Sequence, residues 1–236
     1  MKAMIFAAGL GTRLQPLTND KPKALVQVNG KTLLENAINK IIRAGINEVI
    51  INVHHFAHQV IDFVKEKNSF GIDIRFSDES GKLLDTGGGL KKASWFLKGG
   101  EPFLIYNVDI LSDIDLRQMI SFHKENKVLV TLAVRERKTS RYLLFDEVFT
   151  LCGWQNVKTG EKKIPVAKPD LKPFAFSGIH IIEPAIFNLM TESGRFSIID
   201  VYLRLAKECK ILGYDHSETQ WFDLGRIENL KEAEKV

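Results

Sequence analysis

The sequence predicts an α/β fold: a doubly wound, mostly parallel central sheet flanked by helices, with a small β-rich excursion. Three observations predict it. Short apolar runs alternate with segments of helical periodicity, the first run breaks directly into a glycine loop, and no internal repeat or low-complexity segment interrupts the alternation. No linker is rich enough to separate two units, so residues 1–236 read as one domain, long enough to bury a sizeable core.

Ala3 to Ala8 reads as a buried strand. Thr32 to Ala44 carries Leu33, Leu34, Ala37, Ile38, Ile41 and Ile42 at helical spacing, and Gly45 supplies the stop. Glu48 to Val53 is β-branched and reads as a second buried strand. Phe56 to Lys67 places Phe56, Val60, Phe63 and Val64 on one helical face. Ile72, Ile74 and Phe76 alternate with Asp73 and Arg75, a strand with one polar face. Asp85-Thr-Gly-Gly-Gly89 reads as a loop feeding a short helix over Lys91 to Leu97. Pro102 to Tyr106 predicts a strand ending at Asn107-Val-Asp109, Leu116 to Lys124 a helix and Val128 to Val134 a strong strand.

Polar residues dominate from Arg135 to Pro173, around short strands such as Tyr142 to Phe145. This is the β-rich excursion, with Lys158 to Lys172 expected as a mobile loop. Phe174 to Ile182 returns as a strand, followed by helices over Pro184 to Met190 and Ser197 to Glu208. Ser197 reads as an N-cap, with Asp200 completing a variant of the capping box. Trp221 to Gly225 is a short strand end, and Ile227 to Lys235 a closing helix.

Lys and Arg number 33 against 29 Asp and Glu, a mild excess spread along the chain. That pattern does not indicate nucleic acid and suits a small anionic substrate. Cys152 and Cys209 lie far apart without metal-ligand spacing, as expected of free thiols in a reducing compartment. The first apolar run is unlike a signal peptide, and no run of about 18 apolar residues predicts a membrane span. A cytoplasmic enzyme without membrane partners fits, and oligomeric state leaves no readable mark.

The chemistry concentrates between Gly9-Leu-Gly-Thr-Arg13 and Lys21-Pro-Lys23. A glycine loop after a strand exposes backbone N–H groups at close range, as a phosphate or nucleobase requires. Arg13, Lys21 and Lys23 add charge for a polyphosphate, while Pro16 and Pro22 stiffen the loop. No Gly-x4-Gly-Lys-Ser/Thr string is present. The dinucleotide fingerprint fails too: Leu14 stands in place of its third glycine, and the second strand ends in Asn52-Val-His-His55 without an acid. A solvated basic loop leaves the glycines and prolines unexplained. There remains a nucleoside triphosphate loop whose arginine and lysine grip the phosphates.

Asp109 follows a predicted central strand, where open α/β sheets bind ligands, and a carboxylate there can hold Mg²⁺. Asp223 follows another short strand. Taken alone, each reads more readily as a turn or cap residue. His54, His55 and His58 fit no complete metal site and read as helix-start and surface residues, His54 being a minor cleft candidate.

Gly9-Leu-Gly-Thr-Arg13, Pro16-Leu-Thr18 and Lys21-Pro-Lys23 together resemble the signature of the sugar-1-phosphate nucleotidyltransferases. The resemblance continues through Asp85-Thr-Gly-Gly-Gly89, Asn107-x-Asp109, Phe176-Ser-Gly-Ile179 and Trp221-x-Asp223, over almost the full chain. It implies a Rossmann-like nucleotidyltransferase fold and synthesis of a nucleotide sugar and pyrophosphate from an NTP and a sugar 1-phosphate. It implies Arg13 and Lys23 as catalytic residues. Ala7, Ala8, Gly9, Gly11, Thr12, Asp85, Gly87 and Gly88 would bind the nucleotide, with main-chain groups of the glycine triplet meeting the base. Asn107, Ser177, Gly178 and Trp221 would line the sugar-phosphate pocket, and Asp109 and Asp223 would hold Mg²⁺.

Val108 stands where many members have glycine, and Ala167-Lys-Pro169 retains only part of a Glu-Lys-Pro sugar-phosphate motif. The chain looks most like the short N-acetylmuramate-1-phosphate uridylyltransferases, through Asp85-Thr-Gly-Gly-Gly89 and the nearness of Asp223 to the end. It contains no hexapeptide repeat, so no acetyltransferase module is expected. Leu84 and Leu90 flank the glycine triplet and favour a pyrimidine, so UTP and N-acetylmuramate 1-phosphate are the expected substrates. A mannose-1-phosphate guanylyltransferase and a choline-phosphate cytidylyltransferase stay open. A nicotinamide-dependent oxidoreductase lacks its third glycine and acid. A non-catalytic nucleotide-sensing module would be expected to lose Arg13, Lys23 or an aspartate, and this chain keeps all four.

Overall fold

The computed structural model describes residues 1–235; Val236, the last residue of the expected domain, lies outside them. In chain order the strands are β1 (Lys2–Phe6), β2 (Gln27–Val28), β3 (Lys31–Thr32), β4 (Glu48–Val53), β5 (Asp73–Asp78), β6 (Phe103–Asn107) and β7 (Ile110–Ser112). Then come β8 (Val130–Arg135), β9 (Arg141–Phe145), β10 (Leu151–Asn156), β11 (Lys162–Lys163), β12 (Lys172–Ile182), β13 (Ile211–Asp215) and β14 (Trp221–Asp223). The helices are α1 (Leu33–Arg43), α2 (Ala57–Glu66), α3 (Asp85–Lys92), α4 (Ser94–Leu97), α5 (Leu116–Asn126), α6 (Ile186–Leu189), α7 (Ile198–Leu205) and α8 (Ile227–Ala233).

β1 sits between β4 and β6, parallel to both, and β5 extends the parallel set beyond β4. β12 lies antiparallel to β6 and β8, and β13 runs parallel to β8. Period-two alternation explains why helices cover both faces. On β1, Ala3 and Ile5 join the cluster beneath α1, α2 and α5, while Met4 joins the opposite cluster with α3 and α7. On β4, Val49 and Ile51 face one way and Ile50 the other; on β6, Leu104 and Tyr106 oppose Phe103 and Ile105. Each fully buried side chain of this kind stabilises the fold by roughly 1.5–3 kcal/mol.

Caps set several helix boundaries. Thr32 accepts from Glu35 N ahead of α1, and Asp115 accepts from Arg117 N and Gln118 N ahead of α5. Ser197 caps α7 through Ile199 N, but Asp200 does not reach back to close a capping box; its carboxylate takes Lys163 Nζ at 2.9 Å instead.

Three further expectations are corrected. The glycine triplet lies inside α3 rather than in a loop. Gly87 and Gly88 N–H groups donate to Phe196 O, and an added Cβ would lie 2.4 Å from the Phe196 ring at Gly87 and 2.3 Å from Gly194 O at Gly88. These glycines let the chain around Phe196 dock on the helix backbone. Residues 158–172 are not structureless: Lys162 and Lys163 pair with Gln155 and Trp154 across the β10–β11 hairpin. The helix expected over Pro184 to Met190 is one turn, Ile186–Leu189.

Candidate active site

After β1 the chain turns through Ala7 to Gly11 into a 3-10 turn over Thr12–Leu14. Leu14 is fully buried and anchors that turn, which leaves Arg13 exposed beside it. Gly11 has φ +69°, and a Cβ there would lie 3.0 Å from Thr18 Cγ2 and 3.1 Å from Lys23 Cβ. Thr18 Oγ1 donates to Gly11 O at 2.9 Å, which closes the loop. Lys23, first residue of a second 3-10 turn, is thereby brought back against the start of the loop.

Asn52, at the strand end where a dinucleotide fold would place an acid, holds this loop from the side. Its Oδ1 accepts from Ala7 N at 2.7 Å, and its Nδ2 donates to Glu79 Oε1 at 2.8 Å. Glu79 is fully buried, and its other oxygen accepts from Leu84 N at 3.0 Å. Asn52 and Glu79 thus tie the glycine loop to the entry of α3, and both buried polar groups are satisfied. His54 Nδ1 lies 2.7 Å from Glu79 O, so its ring supports this segment.

The two aspartates meet through a small ladder. β14 pairs antiparallel with β7 so that Asp223 stands opposite Ile110, one residue after Asp109. Leu224 N donates to Asp109 O at 2.8 Å. The convergence shows most clearly at Gly225, where an added Cβ would lie 2.9 Å from Arg13 Nη2, 2.9 Å from Asp223 Oδ1 and 3.1 Å from Asp109 Oδ2. Lys23 Nζ donates to Asp109 Oδ2. Arg13, Lys23, Asp109 and Asp223, four residues singled out in the sequence, form one cluster, and Gly225 keeps its centre clear. Val108 does not disturb it, being buried with its N–H on Phe6 O at 3.1 Å. Burial and the nearby Asp109 push the Tyr106 phenol above its ordinary value.

Two cavities share the cluster. One, of about 290 Å³, is lined by Lys23 and Asp109 together with Ala8, Gly9, Asp85, Thr86 and Asn107. The other, of about 890 Å³, is lined by Arg13 and Asp223 and runs out to Trp154 and Lys163 on the β10–β11 hairpin. Leu83, not Leu84, lines the smaller cavity, and Leu90 is fully buried in the core, so neither expected leucine frames it. Lys163, rather than the Lys168 of Ala167-Lys-Pro169, lines the larger one.

Asn107 and Gly178 touch: with φ +77° at Gly178, a Cβ would lie 2.8 Å from Asn107 Nδ2. Ser177 is fully buried, its hydroxyl 2.6 Å from His216 Nε2, so its side chain supports the strand from behind. Trp221 Nε1 donates to Ser177 O at 3.0 Å. One feature the sequence reading missed lies against that indole: the Arg137 guanidinium carbon is 4.5 Å from the Trp221 ring centroid. Arg137 Nη2 donates to Phe176 O at 3.2 Å, and its buried Nε has no partner. Burial pulls this guanidinium below its ordinary value, and Asp223 opposes the shift. Burial, reinforced by Arg135, pulls the His216 imidazole down to about 4.

Glycine loop, paired aspartates and flanking cavities lie together in an α/β fold. The chain belongs to the nucleotidyl transferase family, which it matches over residues 2–236. It is 31% identical over 242 residues to an N-acetylmuramate alpha-1-phosphate uridylyltransferase of Neisseria meningitidis serogroup B, covering all of this chain and 98% of that one. It is 30% identical over 231 residues to the protein of the same name from Caulobacter vibrioides, covering 94% of this chain and 91% of that one. A putative glucose-1-phosphate thymidylyltransferase from Bacillus anthracis shares the fold at TM-score 0.82 and 19% identity, covering 100% of this chain and 94% of that one. The fold and activity class implied by the signature loop are therefore those of a sugar-1-phosphate nucleotidyltransferase. Among the described residues, no helix is long and apolar enough to cross a membrane.

Proposed function

We infer that this chain, working as one cytoplasmic domain, joins UTP to N-acetylmuramate 1-phosphate, giving the UDP-sugar and pyrophosphate. The observation that carries this reading is the convergence of Arg13, Asp109 and Asp223 on Gly225 between two cavities. Likeness over nearly full length to two N-acetylmuramate alpha-1-phosphate uridylyltransferases supports the choice of substrates.

The smaller cavity takes the nucleotide against Ala7 to Thr12. The N–H groups of Gly87 and Gly88 are bonded to Phe196, so Asp85 and Thr86 stand nearer the base than the triplet does. The larger cavity takes the sugar phosphate. A sugar-phosphate oxygen attacks the α-phosphorus in line as the bond to pyrophosphate breaks. The attacking oxygen is already anionic, so no general base is required. The protein's contribution is to position two mutually repelling anions and to stabilise their charge. Arg13 holds the triphosphate and the departing pyrophosphate, and Lys23 serves the α-phosphate. A cation about 4 Å from an anion is worth roughly 4 kcal/mol at an effective dielectric near 20.

Among the described residues no group of three metal-ligating side chains exists. Two carboxylates at a centre kept clear by Gly225 nevertheless fit Mg²⁺, which takes one or two carboxylates and completes its shell with substrate phosphates and water. Bound by Asp109 and Asp223, it would supply charge neutralisation between the two substrates.

The test is pyrophosphate release from each common NTP against N-acetylmuramate 1-phosphate, mannose 1-phosphate, glucose 1-phosphate and phosphocholine. UTP with N-acetylmuramate 1-phosphate is expected to be the fastest pair. A faster rate with GTP and mannose 1-phosphate, or with CTP and phosphocholine, would overturn the substrate assignment.

A further inference from the structure

The larger cavity carries more positive charge than a sugar monophosphate requires. Six cations line it, namely Arg13, Arg137, Lys138, Arg141, Lys163 and Arg226, against the two acids Asp200 and Asp223. Lys163 is spent on Asp200 at 2.9 Å. Among the described residues, none of the other five cations has an acid within ion-pair distance.

Arg137 is the most constrained of them. Its guanidinium carbon lies 4.5 Å from the Trp221 ring centroid, and Phe176 O takes one Nη2 hydrogen bond. Trp221 is itself pinned by Ser177 O, and Ser177 by His216. Neighbouring Arg135 is not equivalent, because it is consumed by the carbonyls of Thr219 and Ser217 at 3.1 and 3.2 Å. Its Nε is buried and closed to a ligand, so Nη1, which has no partner among the described residues, is the edge that Arg137 offers to the cavity. A guanidinium N–H there donates a charge-assisted hydrogen bond to a carboxylate oxygen. Lys138 and Arg141 flank it on the same short stretch before and into β9.

We propose that Arg137, held against Trp221, reads a carboxylate carried by the acceptor sugar in addition to its 1-phosphate, with Arg141 as a secondary contact. The inference rests on the nucleotidyltransferase reading above and deepens it, assigning specificity to a residue outside the cluster of Arg13, Lys23, Asp109 and Asp223.

The experiment measures initial rates of the full chain with Mg²⁺ and the best NTP. Acceptors are N-acetylmuramate 1-phosphate, glucuronate 1-phosphate and N-acetylglucosamine 1-phosphate. The wild type is expected to favour a carboxylated acceptor. Arg137→Gln should lower kcat/KM for that acceptor by ~30- to 100-fold, chiefly through KM, and for N-acetylglucosamine 1-phosphate by less than ~3-fold. Arg137→Lys should fall between, and Arg141→Gln, on an exposed strand start, should show the same selectivity at ~5-fold. These two variants carry the test should Arg137→Gln fold poorly. Equal losses for carboxylated and neutral acceptors would assign Arg137 to the phosphate and overturn the inference while leaving the N-acetylmuramate reading standing. A wild-type preference for glucuronate 1-phosphate, lost in the variants, would overturn the N-acetylmuramate reading and support the inference. A wild-type preference for the neutral acceptor overturns both.

Discussion

Lys23 donates a charge-assisted hydrogen bond to Oδ2 of Asp109, and the two side chains are only 14% and 13% exposed. The residue assigned to the α-phosphate and a residue assigned to the metal thus share one carboxylate oxygen. Lys23→Ala should lower kcat by ~10²–10³, the usual loss for one preorganised contact of this kind. It should also reduce the Mg²⁺ concentration needed for half-maximal rate, because Asp109 loses a competing cation. Metal titration of the initial rate checks both, and an unchanged or higher metal requirement rejects the competition.

Arg13 reaches the cluster from an exposed 3-10 turn anchored by Leu14, with no acid partner of its own among the described residues. Arg13→Ala should cost ~10²–10³ in kcat, with little change in melting temperature since no ion pair is lost. Turnover at the wild-type level in the purified variant would sink the phosphate assignment.

Asp109→Asn and Asp223→Asn should each raise the metal requirement steeply. If both carboxylates serve one ion, the double variant should lose far less than the product of the two single losses. Multiplicative losses in a double-mutant cycle would instead make one aspartate a structural cap.

Two glycine-to-alanine changes should separate activity from stability. Gly225→Ala puts a methyl group 2.9 Å from the side-chain ends of Arg13 and Asp223, which can swing aside, and should abolish most turnover while moving stability little. Gly88→Ala lies in a helix, where propensity alone predicts a gain of about 1 kcal/mol. The carbonyl of Gly194 would lie 2.3 Å from the new Cβ, so the net result should be a loss of about 2 kcal/mol or more. Denaturant unfolding of Gly88→Ala decides which effect wins.

Acid should destabilise the fold through its buried histidines. Burial holds His180 at about 3, while burial with Lys124 holds His123, and burial with Arg135 holds His216, at about 4. The unfolded chain, with histidines near 6.5, then binds more protons than the fold between about pH 6.5 and 4. Stability is present above that window and falls as pH drops through it, by up to about 1.4 kcal/mol per unit for each histidine. Melting temperature should decline accordingly, and His216→Gln should flatten the decline. A melting temperature constant from pH 7 to ~4.5 would contradict the assignment.

The parallel half of the fold is legible because its residues obey simple periods. Ala3, Met4 and Ile5 alternate between two cores, and Leu34, Ile38 and Ile41 lie along one stripe of α1. The glycine triplet is not legible in the same way. Composition reports three flexible residues, whereas what fixes them in α3 is Phe196 and Gly194, remote in sequence. Of the cluster, Arg13, Lys23, Asp109 and Asp223 are readable from a specific motif, but the meeting of Arg13, Asp109 and Asp223 at Gly225 depends on the β7–β14 register. Arg137 stands in the charged run from Arg135 to Arg141, where nothing local marks it off from its neighbours; its distinction is a closer approach to Trp221, 4.5 Å against 5.8 Å for Arg135, and Trp221 arrives from another strand. Asn52 carries the faintest signal, a polar residue set among Ile50, Ile51 and Val53 near the end of its strand.

The ladder between β7 and β14 gives this chain a temporal asymmetry. Every strand of the large sheet has been synthesised by Asp215, yet Asp223 and Gly225 are still to come. Arg13, Lys23 and Asp109 are made with the sheet that carries them, whereas the second carboxylate and the glycine that keeps the centre clear are the last parts of the cluster to be written.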